Sequence, residues 1–189
     1  MTMDESLRRF RMTSSRALDS EREALEGLLA YVVVAAFGEV AERISTATGA
    51  DSEVVGGAAA LVALHDERDD TYLGVHVRVS SALARLLASR LAARPEPSRE
   101  DILDAVGGLA ERAGAGLKML LVPAARLSLP SATLDDAGLP PARDGSVAPT
   151  VLRALVLGEV AELVLVPHVD GDGLAWPPSA ASDVLEPQT

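Results

Sequence analysis

The chain has 189 residues, a formal net charge of −11 and only 3% aromatics. That balance disfavours phosphate backbones and anionic lipid as partners and removes the stacking platforms of single-strand binders. Hydrophobic residues at 48% against 24% charged describe a globular body, and the absence of cysteine excludes disulfides and thiolate metal sites.

Residues 1–19 are polar and without periodicity and read as a flexible arm; their opening MTMDESLRRFRMTSS has no apolar stretch of the kind a secretory signal carries, so a cytoplasmic protein is expected. LLAYVVVAAFG is too short to span a bilayer before Glu39 and Glu42 interrupt it, so no membrane partner is expected. From Ser20, with Glu23 in capping-box spacing, the pattern predicts one long helix that ends at Gly49. SEVVGGAAALVALHD and TYLGVHVRV flank the charged turn DERDD and predict two antiparallel strands, with Gly56 and Gly57 marking a bulge or a close approach. SSALARLLASRLAAR predicts a helix capped by Ser80 or Ser81, with Leu83, Leu86, Leu87 and Leu91 on one face and a stop at Pro95.

Ser98 opens a third helix that runs to about Leu121. ARLSLPSATL reads as a strand that Pro130 confines to an edge or a bulge, DDAGLPPARDGSVAP as a loop, and TVLRALVLGEVAELVLVPHV as two apolar runs around Gly158 and Glu159 that form a hairpin. Residues 20–169 are the expected domain, and 170–189 a flexible Pro-rich tail. Strands arriving as hairpins rather than βαβ units predict an α+β fold, an antiparallel sheet packed with long helices.

The third helix contains DAVGGLAERAGAGLK, with four glycines that each cost a helix interior about 1 kcal/mol relative to alanine. Ile102, Val106, Leu109, Ala113, Leu117 and Leu120 form its expected buried stripe. Asp104, Gly108, Glu111, Ala115 and Lys118, spaced four, three, four and three, share an outward line and are the candidate partner-binding residues. The glycines and alanines suit a helix that lies close to another backbone.

The segment from Tyr72 to Leu134 resembles the CheX-like and CheC-like phosphatases of bacterial chemotaxis signalling. The resemblance rests on the order YLGVHVRVSSALARLLASRLA, DILDAVGGLAERAGAGLKMLL, RLSLPSATL, with matches at Asp104, Ala105, Gly107, Ala110, Lys118, Ser128, Leu129 and Pro130. It implies a CheX-like fold and a helix that enters the active site of a phosphorylated receiver domain. There a glutamate contacts the receiver's lysine and an asparagine orients the water that attacks the aspartyl phosphate. Here the glutamate position holds Gly108 and the asparagine position holds Glu111. Taking Glu111 as the glutamate instead puts Gly114 at the asparagine position. GEVAER at 38–43 is similar to GGLAER at 107–112, and CheC-like relatives carry two such helices, but there Glu39 is followed by Glu42. The chain has no asparagine and a lone glutamine, Gln188, so no E-x-x-N or E-x-x-Q motif exists.

The resulting expectation is a non-catalytic signalling module that binds a receiver domain or a second copy of itself, as a homodimer. The alternatives are a scaffold acting through homo-oligomerisation, and a divergent aspartyl-phosphate phosphatase in which Glu111 holds water. No cofactor is expected. Glu39 and Glu42 with His65 or His76 could in principle hold a metal, but no histidine pair has ligand spacing, so no metal site is expected. The acidic turn DERDD lacks the glycine and terminal glutamate of a calcium loop.

Overall fold

The computed structural model describes residues 18–48, 54, 57–67, 71–121, 123–134 and 149–169. The loop assigned to 135–149, apart from Pro149, the tail from 170 and the arm up to residue 17 lie outside them.

Helix α1 spans Leu18–Phe37 and stops well before Gly49. Gly38 takes φ +65°, a left-handed conformation that glycine adopts without penalty, and its N–H closes on the Val34 carbonyl at 2.9 Å. The chain then changes period. RISTAT places β-branched Ile44, Thr46 and Thr48 at alternate positions and forms strand β1, Arg43–Thr48. The single long helix expected from sequence is therefore a helix and an edge strand. The Glu26 carboxylate ties the two together by accepting from Thr46 Oγ1 at 2.8 Å.

Strands β2 (Gly57–Asp66) and β3 (Thr71–Ser80) form the expected antiparallel pair, from Gly57 opposite Ser80 to Asp66 opposite Thr71. Gly57 is a close approach: a Cβ there would overlap the Val79 carbonyl. Helix α2, Ser81–Ala92, follows at once, with Ser80 Oγ accepting the Leu83 N–H at 3.3 Å. Leu83 and Leu87 are buried and Leu86 is half-buried, but Leu91 is 64% exposed, so the apolar face ends one turn earlier than its leucines do.

Helix α3 spans Arg99–Leu121. The expected strand after it is two pieces, β4 (Arg126–Leu127) and β5 (Ser131–Leu134), separated by Ser128–Leu129–Pro130. Both pair with β2. Strands β6 (Thr150–Val156) and β7 (Glu159–Val169) make the C-terminal hairpin. Leu157 and Gly158 both have positive φ, +54° and +76°, the pattern of a two-residue turn matched to strand twist.

The sheet runs β1-β6-β7-β3-β2, with β4 and β5 sharing the far edge, and every pairing is antiparallel. The element order contains a repeat. Helix, edge strand and hairpin occur as α1, β1, β2–β3 and again as α3, β4–β5, β6–β7. An approximate two-fold between β3 and β7 relates the halves, and each half lends its edge strand to the other: β1 pairs with β6, and β5 with β2. Leu25, Leu28, Leu29, Val32, Val33 and Ala36 of α1 answer one for one to Val106, Leu109, Ala110, Ala113, Gly114 and Leu117 of α3, with identical spacing and burial.

The described helices all lie on one sheet face. Alternate residues Ala58, Ala60, Val62 and Leu64 of β2, Leu73 to Val79 of β3, Leu152 to Val156 of β6 and Ala161 to Leu165 of β7 meet them in one core. A void in that core, lined by Leu29, Val32, Phe37, Leu109, Ala113 and Leu163, is an apolar packing gap rather than a substrate pocket. The opposite face carries an ionic row in direct register: Arg153, Glu162 and Arg78, on β6, β7 and β3. The Glu162 side chain is wholly buried, with Arg153 Nε at 2.9 Å and Arg78 NH1 at 4.0 Å. None of the described helices is long and apolar enough to cross a membrane.

Candidate functional site

Helix α3 is positioned from both ends. At its start Ser98 and Asp101 form a reciprocal cap: the Asp101 N–H donates to Ser98 Oγ at 3.2 Å, and the Ser98 N–H to Asp101 Oδ2 at 2.6 Å. Arg94 reaches the same carboxylate at 2.5 Å. The Ser98 hydroxyl first, and Arg94 after it, hold the Asp101 carboxyl below its ordinary value. A carboxyl lowered in the folded state contributes stability that is complete above its unfolded value and fades as the pH falls through the lowered one. Amide protection across Arg99–Ile102, taken relative to the intrinsic exchange rate at each pH, is therefore expected to fall on acidification through that range. In Asp101→Asn that protection should already be low at neutral pH and unchanged by acid. An acid-insensitive first turn in the wild type would contradict this account of the cap.

The glycines divide into two sets by what stands opposite them. A Cβ on Gly114 would lie 2.7 Å from Val62 Cγ2 and 2.8 Å from Leu127 Cδ1, and one on Gly116 would overlap Leu28 Cδ1 of α1. Bare positions there let α3 sink onto the sheet and against α1. The close neighbours are side chains rather than the backbone the sequence suggested. Gly107 is looser, with Pro130 at 3.7 Å. Gly108 is different: nothing lies within 4 Å of where its Cβ would be. Packing does not require a glycine at that position.

The outward line is realised. Asp104, Gly108, Glu111 and Ala115 are exposed, and Lys118 is half-buried. Of the expected inward stripe, Val106, Leu109, Ala113 and Leu117 are buried and Ile102 packs partly against the core, while Leu120 is 47% exposed. Glu111 makes no ion pair with any described residue. Its neighbour Arg112 turns instead to α1, with NH1 3.5 Å from the Ala35 carbonyl. Beside the helix, the loop between β4 and β5 is pinned by Ser128, whose N–H donates to the Ala63 carbonyl and whose Oγ accepts the Ala63 N–H, both at 2.9 Å. That fixes Pro130 against Gly107 and leaves Leu129 86% exposed.

The second copy of the motif is not where its sequence similarity suggested. Residues 38–43 leave α1 for β1, so Glu39 and Glu42 do not share a helix face. Glu39 lies 3.9 Å from Arg90, and Glu42 accepts the Gly158 N–H at 3.0 Å. The burial match between the helices sets Gly27 opposite Gly108 and Ala30 opposite Glu111, so the α1 counterpart also lacks both side chains. A Cβ on Gly27, as on Gly108, would meet nothing within 4 Å.

The residues weighed as metal ligands do not converge: His65 stacks on Tyr72 with ring centroids 4.2 Å apart, and no group of three His, Asp or Glu among the described residues is placed to hold an ion. Of the acidic turn, Glu67 pairs with Arg126 at 3.0 Å, and residues 68–70 lie outside the described set. Among the described residues, the Arg78–Glu162–Arg153 row is a buried charged cluster that the sequence reading did not single out.

No known family model matches the sequence, and no curated protein matches it. Solved structures do. A CheC-like superfamily protein from Shewanella sp. PV-4 superposes with a TM-score of 0.63 at 13% identity, over 77% of this chain and 95% of that one. The chemotaxis protein CheX from Vibrio vulnificus gives 0.59 at 12%, over 76% and 96%. A chain from a CheX–CheY complex with beryllium trifluoride and magnesium, from Borrelia burgdorferi, gives 0.57 at 13%, over 78% and 97%. Those relatives are covered almost end to end, and the antiparallel sheet with its helices on one face is shared with them: the chain has the fold of the CheX- and CheC-like chemotaxis proteins.

Proposed function

We propose that this protein is a non-catalytic signalling module of the CheX type, which docks on a receiver domain through the outward line of α3 in bacterial signal transduction and acts by occupancy. One observation carries the reading. The line is exposed on a well-anchored helix, yet the positions that the resemblance assigns to the catalytic glutamate and asparagine hold Gly108 and Glu111. Hydrolysis of an aspartyl phosphate by in-line water depends on positioning, and neither residue can orient that water as the family's pair does. The CheX–CheY complex supports a protein partner for this fold.

Ala115 is exposed one helical turn from Glu111, the middle residue of the line. Ala115→Arg is expected to weaken receiver binding at least about tenfold, as steric blocks at interface centres do, with an unchanged circular dichroism spectrum. A wild type that binds no receiver, or binding indifferent to Ala115→Arg, would overturn the reading.

A second reading, self-association as a homodimer, is favoured by the sheet edges. Among the described residues β1 pairs only with β6, and its six residues contain no proline. The other edge is broken at Ser128–Leu129–Pro130. A regular open edge is a template for a further strand. Sedimentation that gives only monomer at all concentrations would remove this reading.

A further inference from the structure

We infer that Glu111 sets the state of the receiver that this protein prefers, making it a binder of the unphosphorylated form. The inference rests on the receiver reading above and deepens it. The Glu111 carboxylate is exposed, and no described cation pairs with it. Arg112 is engaged with the Ala35 carbonyl. Lys118 lies two helical turns further along the line, about 10 Å by helix rise, beyond about one Debye length at physiological salt. Asp104, on the same line and also exposed, lies as far from Glu111 on the other side and is screened to the same degree. Gly108, with open space above it, puts no side chain between Glu111 and a partner that approaches the helix.

A surface of this kind meets an aspartyl phosphate with like charge. Phosphorylation takes the receiver's aspartate from one negative charge to about two, so a carboxylate docked beside it is repelled more strongly in the phosphorylated state. At about 4 Å, one extra unit charge in water-like surroundings corresponds to about a fivefold loss of affinity, and to more where water is excluded. An asparagine in the same place would carry no such penalty. Exchanging it for glutamate therefore alters which signalling state is held, besides removing a catalytic group.

The test compares affinities of the full chain for receiver domains of the source organism, with magnesium present throughout so that its charge is common to both arms, without and with beryllium trifluoride as the phosphoryl stand-in. The unmodified receiver is expected to bind at least about fivefold tighter. Glu111→Gln, which keeps shape and removes charge, is expected to bring the two affinities within about twofold of each other. Equal or tighter wild-type binding of the beryllium trifluoride form, or a preference that Glu111→Gln leaves unchanged, would overturn the inference while leaving receiver docking intact. Binding of neither form would overturn the docking reading and the inference with it.

Discussion

Glu162→Ala is expected to destabilise the protein by about 3–5 kcal/mol, the range found when one partner of a buried ion pair is removed. Glu162 is enclosed on the face opposite the described helices, with the Arg153 guanidinium at 2.9 Å and that of Arg78 at 4.0 Å. Truncation removes the negative charge from between two cations, and Arg78, with a side chain only 8% exposed, cannot recover hydration in place. For a domain of this size each kcal/mol corresponds to about 2–4 °C in Tm, so thermal and urea unfolding should both register the change. Arg22→Ala supplies the scale for comparison. Its pair with Glu26 is an i, i+4 contact with Arg22 half exposed, and such contacts contribute about 0.3–0.5 kcal/mol. A loss below about 1 kcal/mol for Glu162→Ala would mean that the row is not a structural element.

The second large effect concerns activity. Gly108→Glu combined with Glu111→Asn restores the pair that the resemblance assigns to the family and is expected to turn an inert binder into a phosphatase. Aspartyl-phosphate decay should accelerate at least about tenfold over the receiver alone, a modest share of what correct positioning supplies. Folding is not expected to interfere. Both positions are exposed, a Cβ at 108 meets nothing within 4 Å, and replacing a helical glycine adds about 0.5–1 kcal/mol of helix stability. Neither single variant should accelerate decay, because the contacting and water-orienting roles need both side chains. If the double variant binds the receiver and still fails, the outward line is not presented to the phosphoryl group as the resemblance implies.

How far the sequence carried this picture depended on whether a signal was local. The outward line of α3, the Ser80 and Ser98 caps, the β2–β3 hairpin and a C-terminal hairpin near Gly158 all follow from spacing within a few residues, and the structure has them, with the turn at Leu157–Gly158 rather than Gly158–Glu159. The end of α1 did not follow. Val40 and Ile44 continue an apolar helical pattern beyond Gly38, whereas the alternation of Ile44, Thr46 and Thr48 is the better guide to β1. That one boundary also misplaced the second motif copy onto Glu39 and Glu42. Leu91 and Leu120 were assigned to buried faces by periodicity at helix ends where no neighbouring element arrives to cover them.

The Arg78–Glu162–Arg153 row was illegible for a different reason. Each residue lies on its own strand, and only the registers of β3 with β7 and β6 with β7 bring them side by side. One sequence does not contain those registers. The two-fold repeat is hidden in the same way, since the matched core positions of α1 and α3 share spacing but little identity: Leu25 corresponds to Val106, Val33 to Gly114 and Ala36 to Leu117.

The central claim is that the α3 line binds without catalysing. Its most direct test is the decay of aspartyl phosphate on receiver domains of the source organism, measured with and without the wild-type protein in excess. Decay that is unchanged or slower agrees with a module in which Gly108 and Glu111 have replaced the catalytic pair. Decay that quickens with protein concentration, and loses that effect in Glu111→Ala, would contradict it and establish a divergent phosphatase in which Glu111 itself holds the water.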